Sequence, residues 1–139
     1  MPTENPQQSG ASRPSTVAVL LAAGAGSRFT DGRHKLLAEL DSQGNTVIER
    51  SLRNLIEARI GPIVIITGAL TRDDLATNPS VANYLAAPSV TTHHNPTWAA
   101  GQSTSVRVAI DAAEQIGADA VVIGLADQPF ITPDAWRTV

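Results

Sequence analysis

Three aliphatic runs and one β-branched segment lie along the chain, separated by longer segments of mixed polarity. They cover Thr16–Ala22, Ile63–Thr67, Val90–His94 and Ala120–Leu125. Short runs that are apolar at nearly every position are typical of strands buried on both faces of a parallel sheet. We therefore predict four strands and expect them to lie parallel to one another.

Two of the intervening segments have the spacing of helices. Between Thr46 and Ile60 apolar residues recur with helical periodicity, and Thr46 with Glu49 forms a capping-box pattern. The segment from Ser103 to Ile116 predicts another helix, which ends at Gly117. The apolar face of this second helix is predicted at Val106, Ile110 and Ala113.

The alternation of strands and helices predicts the fold class. Because parallel strands joined by helices need right-handed crossovers, we expect an α/β protein with a doubly wound, mainly parallel sheet of Rossmann-like topology. Segment 68–88 stays unassigned, since Asn78-Pro79 interrupts it. Only Val81, Tyr84 and Leu85 indicate a short helix there. Ligands bind such sheets at the carboxyl ends of the strands, so the loops after them are the candidate site.

Length and composition indicate how many domains the chain forms. The chain has 139 residues, 42% of them hydrophobic, which is enough for one buried core. Residues 1–15 are rich in Pro, Ser, Gln and Gly and are predicted to form a disordered tail, whereas 16–139 form one domain. The sequence has no apolar leader and no run of the length that spans a bilayer, and a cytoplasmic location is expected.

Charge and residue types exclude several classes of function. Ten basic and 13 acidic residues give a net charge of -3, which lacks the basic excess that nucleic-acid binding requires. The absence of cysteine excludes disulfides, zinc-thiolate sites and thiol nucleophiles. His93 and His94 are neighbours on a predicted strand and point to opposite faces, so they are not expected to share a metal. We expect neither nucleic acid nor a membrane as a partner.

The loop after the first strand is rich first in glycine and then in cations. Gly24 and Gly26 allow backbone N–H groups to turn toward a phosphate, or they form a plain tight turn. Arg28, Arg33 and Lys35 follow within eight residues. Lys35 is the only lysine beside nine arginines. A compact ammonium suits a point contact with a polyphosphate, and a solvated cationic loop is the alternative.

Asp127 comes directly after the fourth predicted strand, at the sheet edge where the first loop is also expected. Its carboxylate could hold Mg²⁺, which commonly takes one or two carboxylates together with phosphate oxygens, or it caps the turn before Pro129. His34 lies beside the basic loop, where it could contact a phosphate, but an exposed loop histidine is the favoured interpretation. Trp98 and Trp136 are interpreted as packing anchors.

Four segments in a fixed order carry a family resemblance. They are Leu21-Ala22-Ala23-Gly24-x-Gly26-x-Arg28, Lys35-Leu36-Leu37, Asn95-Pro96-x-Trp98-x-x-Gly101-x-Ser103-Thr104-Ser105 and Leu125-Ala126-Asp127-Gln128-Pro129. From about Val17 to Pro133 the chain resembles the molybdenum cofactor cytidylyltransferases, which are members of the MobA-like nucleotidyltransferase family. Ala23 favours the cytidylyl branch, because guanylyl-transferring relatives usually carry glycine at that position.

The resemblance implies transfer of CMP from CTP to the molybdopterin cofactor, with release of pyrophosphate. A related enzyme that uses GTP or a sugar-phosphate acceptor, or a non-catalytic nucleotide-binding module, is the alternative. Arg28 and Lys35 are implied as catalytic cations and Asp127 as the ligand of Mg²⁺. The implied nucleotide-binding residues are Ala22, Ala23, Gly24, Gly26, Ser27, Thr67, Gly68, Gly101, Ser103 and Ser105. A molybdoenzyme or a chaperone is the protein partner that such a function suggests.

The sequence ends shortly after a predicted helix start. Thr132 as the cap and Pro133 at the first helical position predict a helix, but only six residues follow Pro133. A helix of that length is marginal by itself, and members of the resembled family continue well beyond this point. We therefore expect a C-terminally truncated domain that is not a self-sufficient catalyst.

Overall fold

A computed structural model of the chain describes residues 15–25 and 34–138. It contains four strands, which are β1 (Thr16–Ala22), β2 (Ile63–Thr67), β3 (Val90–His94) and β4 (Ala120–Leu125). All four lie parallel in one sheet with the order β3-β2-β1-β4. The predicted strands are therefore confirmed, including their bounds.

Five α-helices connect and flank these strands. They are α1 (Val47–Ala58), α2 (Arg72–Leu75), α3 (Pro79–Leu85), α4 (Gln102–Ile116) and α5 (Pro133–Thr138). Two short 3₁₀ turns lie at Lys35–Leu37 and Trp98–Ala100. Together with the strand order, this alternation confirms the doubly wound α/β class with Rossmann-like topology.

The sheet separates two layers of helices, because alternate residues of each strand face opposite sides. Ala18 and Leu20 of β1 pack with α1, α3 and α5 in one apolar cluster. Val17 and Val19 pack with the alanines of α4 in the other cluster. The resulting core is buried on both sides of β1 and β2, which explains their continuous aliphatic sequences.

The helix starts follow from polar side chains that satisfy free backbone N–H groups. Thr46 Oγ1 accepts a hydrogen bond from the Glu49 N–H at 3.3 Å, as the capping pattern predicts. Asn78 Oδ1 accepts from Ser80 and Val81 N–H, and Pro79 takes the first helical position. The Asn78-Pro79 pair therefore begins α3 rather than interrupting structure, since proline has no N–H to leave unsatisfied there.

The buried face of α4 agrees with the prediction at Ala113 and, in part, at Val106, but not at Ile110. Ile110 is 37% exposed, whereas the small residues Ala109, Ala112 and Ala113 are buried against the sheet. Large side chains contributed most to the apparent periodicity, but the alanine face allows the helix axis to approach the strands closely. The prediction of a strand buried on both faces is likewise wrong for β4, which lies at the sheet edge with Ile123 37% exposed.

The last helix is anchored by one aromatic ring. Trp136 of α5 is 5% exposed, and a Cβ added to Gly124 of β4 would lie 2.7 Å from its Cζ2 atom. This close contact confirms Trp136 as a packing anchor. In the described part of the chain, no helix combines the length and apolar character needed to cross a membrane.

Candidate active site

A pocket of about 290 Å³ opens at the carboxyl ends of β1 and β4. The chain runs outward from β1 to β2 and β3 on one side and returns to place β4 on the other, so this is the point where the strand order reverses. Doubly wound sheets bind their ligands at such a point. The pocket brings together six of the predicted site residues, namely Ala22, Ala23, Gly24, Lys35, Ser105 and Asp127.

Two opposite charges meet at the pocket. Lys35 Nζ lies 3.5 Å from Asp127 Oδ2, and the two side chains are 39% and 43% exposed. An ion pair this accessible contributes about 0–1 kcal/mol to stability, because water screens both charges. Each charged group can therefore exchange its partner for a ligand at small cost.

Both charges are held by buried neighbours. Leu36 is 4% exposed and inserts into the core beside Lys35. Ala126 is fully buried, and its N–H donates to the carbonyl of Leu21 at 2.9 Å, which extends the pairing of β4 with β1. Ser51 Oγ of α1 donates to the Ala126 carbonyl at 2.6 Å. The loop that carries Asp127 is thus fixed to both the sheet and α1.

His34 joins the glycine turn to the turn that carries Lys35. The Leu36 N–H can only donate, so His34 Nδ1 is its acceptor at 3.1 Å. The hydrogen of the neutral ring then lies on Nε2, which donates to the Gly24 carbonyl at 2.8 Å. The interpretation of His34 as an exposed loop residue is therefore wrong, because the ring is half-buried, lines the pocket and connects two of its segments.

Gly24 follows β1 and Gly68 follows β2, and the surroundings of these two glycines differ. A Cβ added to Gly68 would lie 2.7 Å from both Ala23 Cβ and Trp98 Cβ, so only glycine fits between these residues. A Cβ added to Gly24 would meet nothing within 4 Å. Packing explains Gly68, whereas no atom of residues 15–25 and 34–138 occupies the space in front of Gly24.

Four of the predicted nucleotide-binding residues do not line the pocket. Thr67 is 2% exposed and hydrogen-bonds through Oγ1 to His94 Nδ1 at 3.2 Å. Gly68 is buried by the packing just described. Gly101 has φ +129°, a conformation that favours glycine, and precedes α4. Ser103 lines a neighbouring cavity. Gly26, Ser27, Arg28 and Arg33 lie outside the described residues.

Comparison with known proteins identifies the family. Residues 18–139 match the model of the MobA-like NTP transferase domain. The chain belongs to this family. This result confirms the nucleotidyltransferase part of the resemblance, and it agrees with a pocket at the topological switch point of the sheet.

Two solved structures share the fold of this MobA-like domain. A nucleotidyl transferase from Methanothermobacter thermautotroptrophicus is similar with a TM-score of 0.67 and 27% identity, over 90% of this chain and 56% of that chain. Rv0371c from Mycobacterium tuberculosis H37Rv has a TM-score of 0.62 and 23% identity, over 90% of this chain and 58% of that chain. At that identity the second likeness shows the fold alone. The chain thus spans little more than half the length of these structures.

A sequence relative covers a smaller segment. Choline-phosphate cytidylyltransferase from Haemophilus influenzae is 50% identical over 56 residues, which are 38% of this chain and 23% of that protein. The likeness is high but short, so it does not establish an activity for the whole chain.

The MobA-like site offers a limited donor set to a metal ion. Within residues 15–25 and 34–138 no group of three or more His, Asp or Glu side chains could hold a metal. Asp127 nevertheless presents a half-exposed carboxylate to the pocket. One carboxylate fits Mg²⁺ in the form that relies on phosphate oxygens and water for the remaining ligands.

Sequence reasoning did not assign three residues to the pocket. His34, Trp98 and Gln102 all line it, and Trp98 therefore contributes to the site in addition to packing against the Gly68 turn. A usable signal was present for Gln102, because it directly follows a glycine between β3 and α4. A loop at the carboxyl end of a parallel strand is where site residues are expected.

Proposed function

We propose that this MobA-like domain is the nucleotide-binding part of an enzyme that transfers CMP from CTP to the molybdopterin cofactor and uses Mg²⁺. The observation that carries the proposal is the meeting of Lys35 and Asp127, 3.5 Å apart, at the topological switch point beside the open Gly24 turn. A cation, a carboxylate and accessible backbone are the groups that a metal-bound triphosphate requires.

Three pocket residues, Gly24, His34 and Lys35, are proposed to act on the phosphates in this reaction. The acceptor's terminal phosphate oxygen forms a bond to the α-phosphorus of CTP, and the bond from that phosphorus to the bridging oxygen breaks. Negative charge then accumulates on the leaving pyrophosphate, where the Lys35 ammonium stabilises it. Gly24 presents backbone to the phosphates, and His34 holds that turn to the Lys35 segment. Arg28 is proposed as a second cation on the triphosphate.

Asp127 is proposed to hold the metal ion. Bound Mg²⁺ would neutralise phosphate oxygens and help to orient the triphosphate. The Ala126 backbone is fixed to the sheet and to α1, so the loop that carries this carboxylate is in place at the pocket before a ligand binds. Rv0371c has also been solved as a complex with manganese, in a structure with 21% identity to this chain, and this supports a divalent cation in the shared fold.

Two observations support cytidylyl transfer over guanylyl transfer. The 56-residue segment that is 50% identical belongs to a protein named as a cytidylyltransferase. Ala23 adds a methyl group at the base of the pocket, although this side chain is only 4% exposed and packs toward Gly68. The same relative makes choline phosphate a second candidate acceptor. GTP as the donor, a sugar phosphate as the acceptor, and binding without turnover are the other outcomes of the test.

The test measures pyrophosphate release with Mg²⁺ and either CTP or GTP. Molybdopterin, choline phosphate and a sugar phosphate are supplied as acceptors in separate reactions. The 139-residue chain is assayed beside a chain extended to the length of the nucleotidyl transferase structures, since it spans only 56% of the first of them. We expect turnover by the extended chain with CTP and molybdopterin, and CTP binding without full turnover by the shorter one. Turnover with another acceptor, or none with any, would overturn the proposed reaction.

A further inference from the structure

A buried amide lies behind the part of the pocket wall that Ser105 forms. Asn95 directly follows β3, is 0% exposed, and donates its backbone N–H to the Thr67 carbonyl at 2.7 Å. A side-chain amide removed from water destabilises the fold unless its two donors and its acceptor oxygen find partners. The partners of Asn95 therefore show what this residue holds in place.

All four hydrogen-bonding positions of the Asn95 amide are used. Oδ1 accepts from the N–H and from the hydroxyl of Thr97, both at 3.0 Å. Nδ2 donates to Thr104 Oγ1 and to Ser105 Oγ, both at 2.8 Å. The Thr97 N–H can only donate, so it determines which end of the amide is oxygen and directs both N–H groups to the first turn of α4.

The hydroxyl groups of Thr104 and Ser105 in α4 differ in whether their own hydrogen has an acceptor. Thr104 Oγ1 accepts from Asn95 and donates to the carbonyl of Gly101 at 2.7 Å, so its own hydrogen is used. Ser105 Oγ also accepts from Asn95, and within the described part of the chain its own hydrogen has no acceptor. Ser105 is 3% exposed and lines the pocket. Its hydroxyl is therefore held as a hydrogen-bond donor at the pocket wall.

We propose that Asn95 is a positioning residue for nucleotide recognition, which fixes the Ser105 hydroxyl as a donor to an acceptor atom of the base or ribose. This inference rests on the proposed nucleotide-binding function of the pocket. Asn95 does not line that pocket and acts only through the first turn of α4. The network is complete without a ligand, so the donor is oriented before the nucleotide arrives and little rotamer entropy is lost on binding.

Asn95→Asp is the sharpest variant, because it keeps the size of the side chain and replaces the N–H groups that donate to Thr104 and Ser105 by an acceptor oxygen. A carboxylate still accepts from Thr97 but cannot donate to Ser105, whose hydrogen then turns to the carboxylate and away from the pocket. Asn83→Asp makes the same chemical change at an exposed position of α3 and is the matched control. We expect about tenfold weaker CTP binding for Asn95→Asp, measured by calorimetry, and no change for Asn83→Asp.

A double-mutant cycle with Ser105→Ala separates positioning from general damage. If Asn95 acts through the Ser105 hydroxyl, the double variant binds CTP no more weakly than the weaker single variant. Losses that multiply would show independent effects and overturn the proposal. Thermal unfolding of each variant identifies a loss that is merely structural, since lower stability alone does not produce this coupling.

Asn95→Ala is the second variant, to be used if the buried carboxylate of Asn95→Asp prevents folding. It leaves Ser105 without its donor, and we expect CTP binding to weaken several-fold and the Thr97 amide to exchange its hydrogen faster. Binding equal to that of the wild-type chain would overturn the inference alone. Failure of the wild-type chain to bind CTP would instead overturn the proposed function, together with the nucleotide as the target of Ser105.

Discussion

The two walls of the pocket differ in what holds them. On the α4 wall, one buried amide makes four side-chain hydrogen bonds of 2.8–3.0 Å and fixes Ser105. Another part of the wall carries Lys35 and Asp127. Its backbone is held by Leu36, by Ala126 and by the His34 bridge, but its two charged groups form a half-exposed ion pair with each other. The first wall is therefore complete before any ligand binds, whereas the second presents charges that can change partners.

This difference fits the demands of nucleotidyl transfer. A base and ribose keep their structure through the reaction, so their contacts gain from rigid hydrogen bonds set in advance. The triphosphate changes its charge distribution as pyrophosphate leaves, and an accessible cation whose partner exchanges at small cost can pair with the developing charge. Variants of the charged wall should accordingly lower the rate, and variants of the α4 wall should lower the affinity.

Lys35→Ala is expected to have the largest effect. Removing a charge that stabilises the leaving pyrophosphate should lower kcat by about 100-fold or more, with little change in thermal stability because the side chain is 39% exposed. Pyrophosphate release by the extended chain measures this. Arg59→Gly, which removes one cation from an exposed position with φ 54°, is the matched control and should keep full activity. Near-normal turnover by Lys35→Ala would exclude a catalytic role for it.

Asp127→Asn is expected to lower turnover by roughly 100-fold while the fold stays intact. The amide keeps the shape of the side chain but is a weaker ligand for a hard cation. Mn²⁺ binding in the presence of CTP, followed by electron paramagnetic resonance, provides a readout that is independent of turnover. Asp111→Asn at an exposed position of α4 is the control. If Asp127→Asn binds Mn²⁺ as the wild-type chain does, the assignment of Asp127 as a metal ligand is wrong.

Two glycine variants are expected to have opposite consequences. Gly24→Ala places a methyl group where the described residues have no atom within 4 Å, so stability should not fall, but CTP binding should weaken by about tenfold. Gly68→Ala forces a methyl group against Ala23 and Trp98 and should destabilise the fold by about 1–3 kcal/mol. Urea unfolding and calorimetry on both variants measure the two effects. Unchanged CTP binding by Gly24→Ala would argue against phosphate contact at that turn.

The smallest expected effect is the discrimination between nucleotides by the wild-type chain. We expect CTP with Mg²⁺ to bind about fivefold more tightly than GTP, or about 1 kcal/mol. The methyl group of Ala23 is the proposed source, and its low exposure is the reason for a modest preference. Competition between the two nucleotides in a calorimetric titration measures the ratio. Equal or tighter GTP binding would contradict the cytidylyl branch and leave the family assignment unchanged.

The local sequence predicts the strands and most helices of this protein well. The aliphatic segments of β1 and β2 can satisfy burial on both faces only within a parallel sheet that is covered on both sides. Thr46 is a start signal for α1 and Gly117 a stop signal for α4, and both depend on neighbouring backbone alone. Such features involve residues a few positions apart, so the sequence contains the information needed to predict them.

Several contacts that shape the site depend on how separate elements pack together, and only the tertiary structure decides them. The glycine at position 68 is required by Ala23 and Trp98, which lie on two other loops. The side-chain amide of Asn95 has all its hydrogen-bond partners only when the end of β3 and the first turn of α4 lie side by side. The sequence by itself determined the candidate charges Lys35 and Asp127, because residue type and position after a strand are local properties. Their 3.5 Å separation depends on the pairing of β4 with β1, which sequence periodicity does not specify.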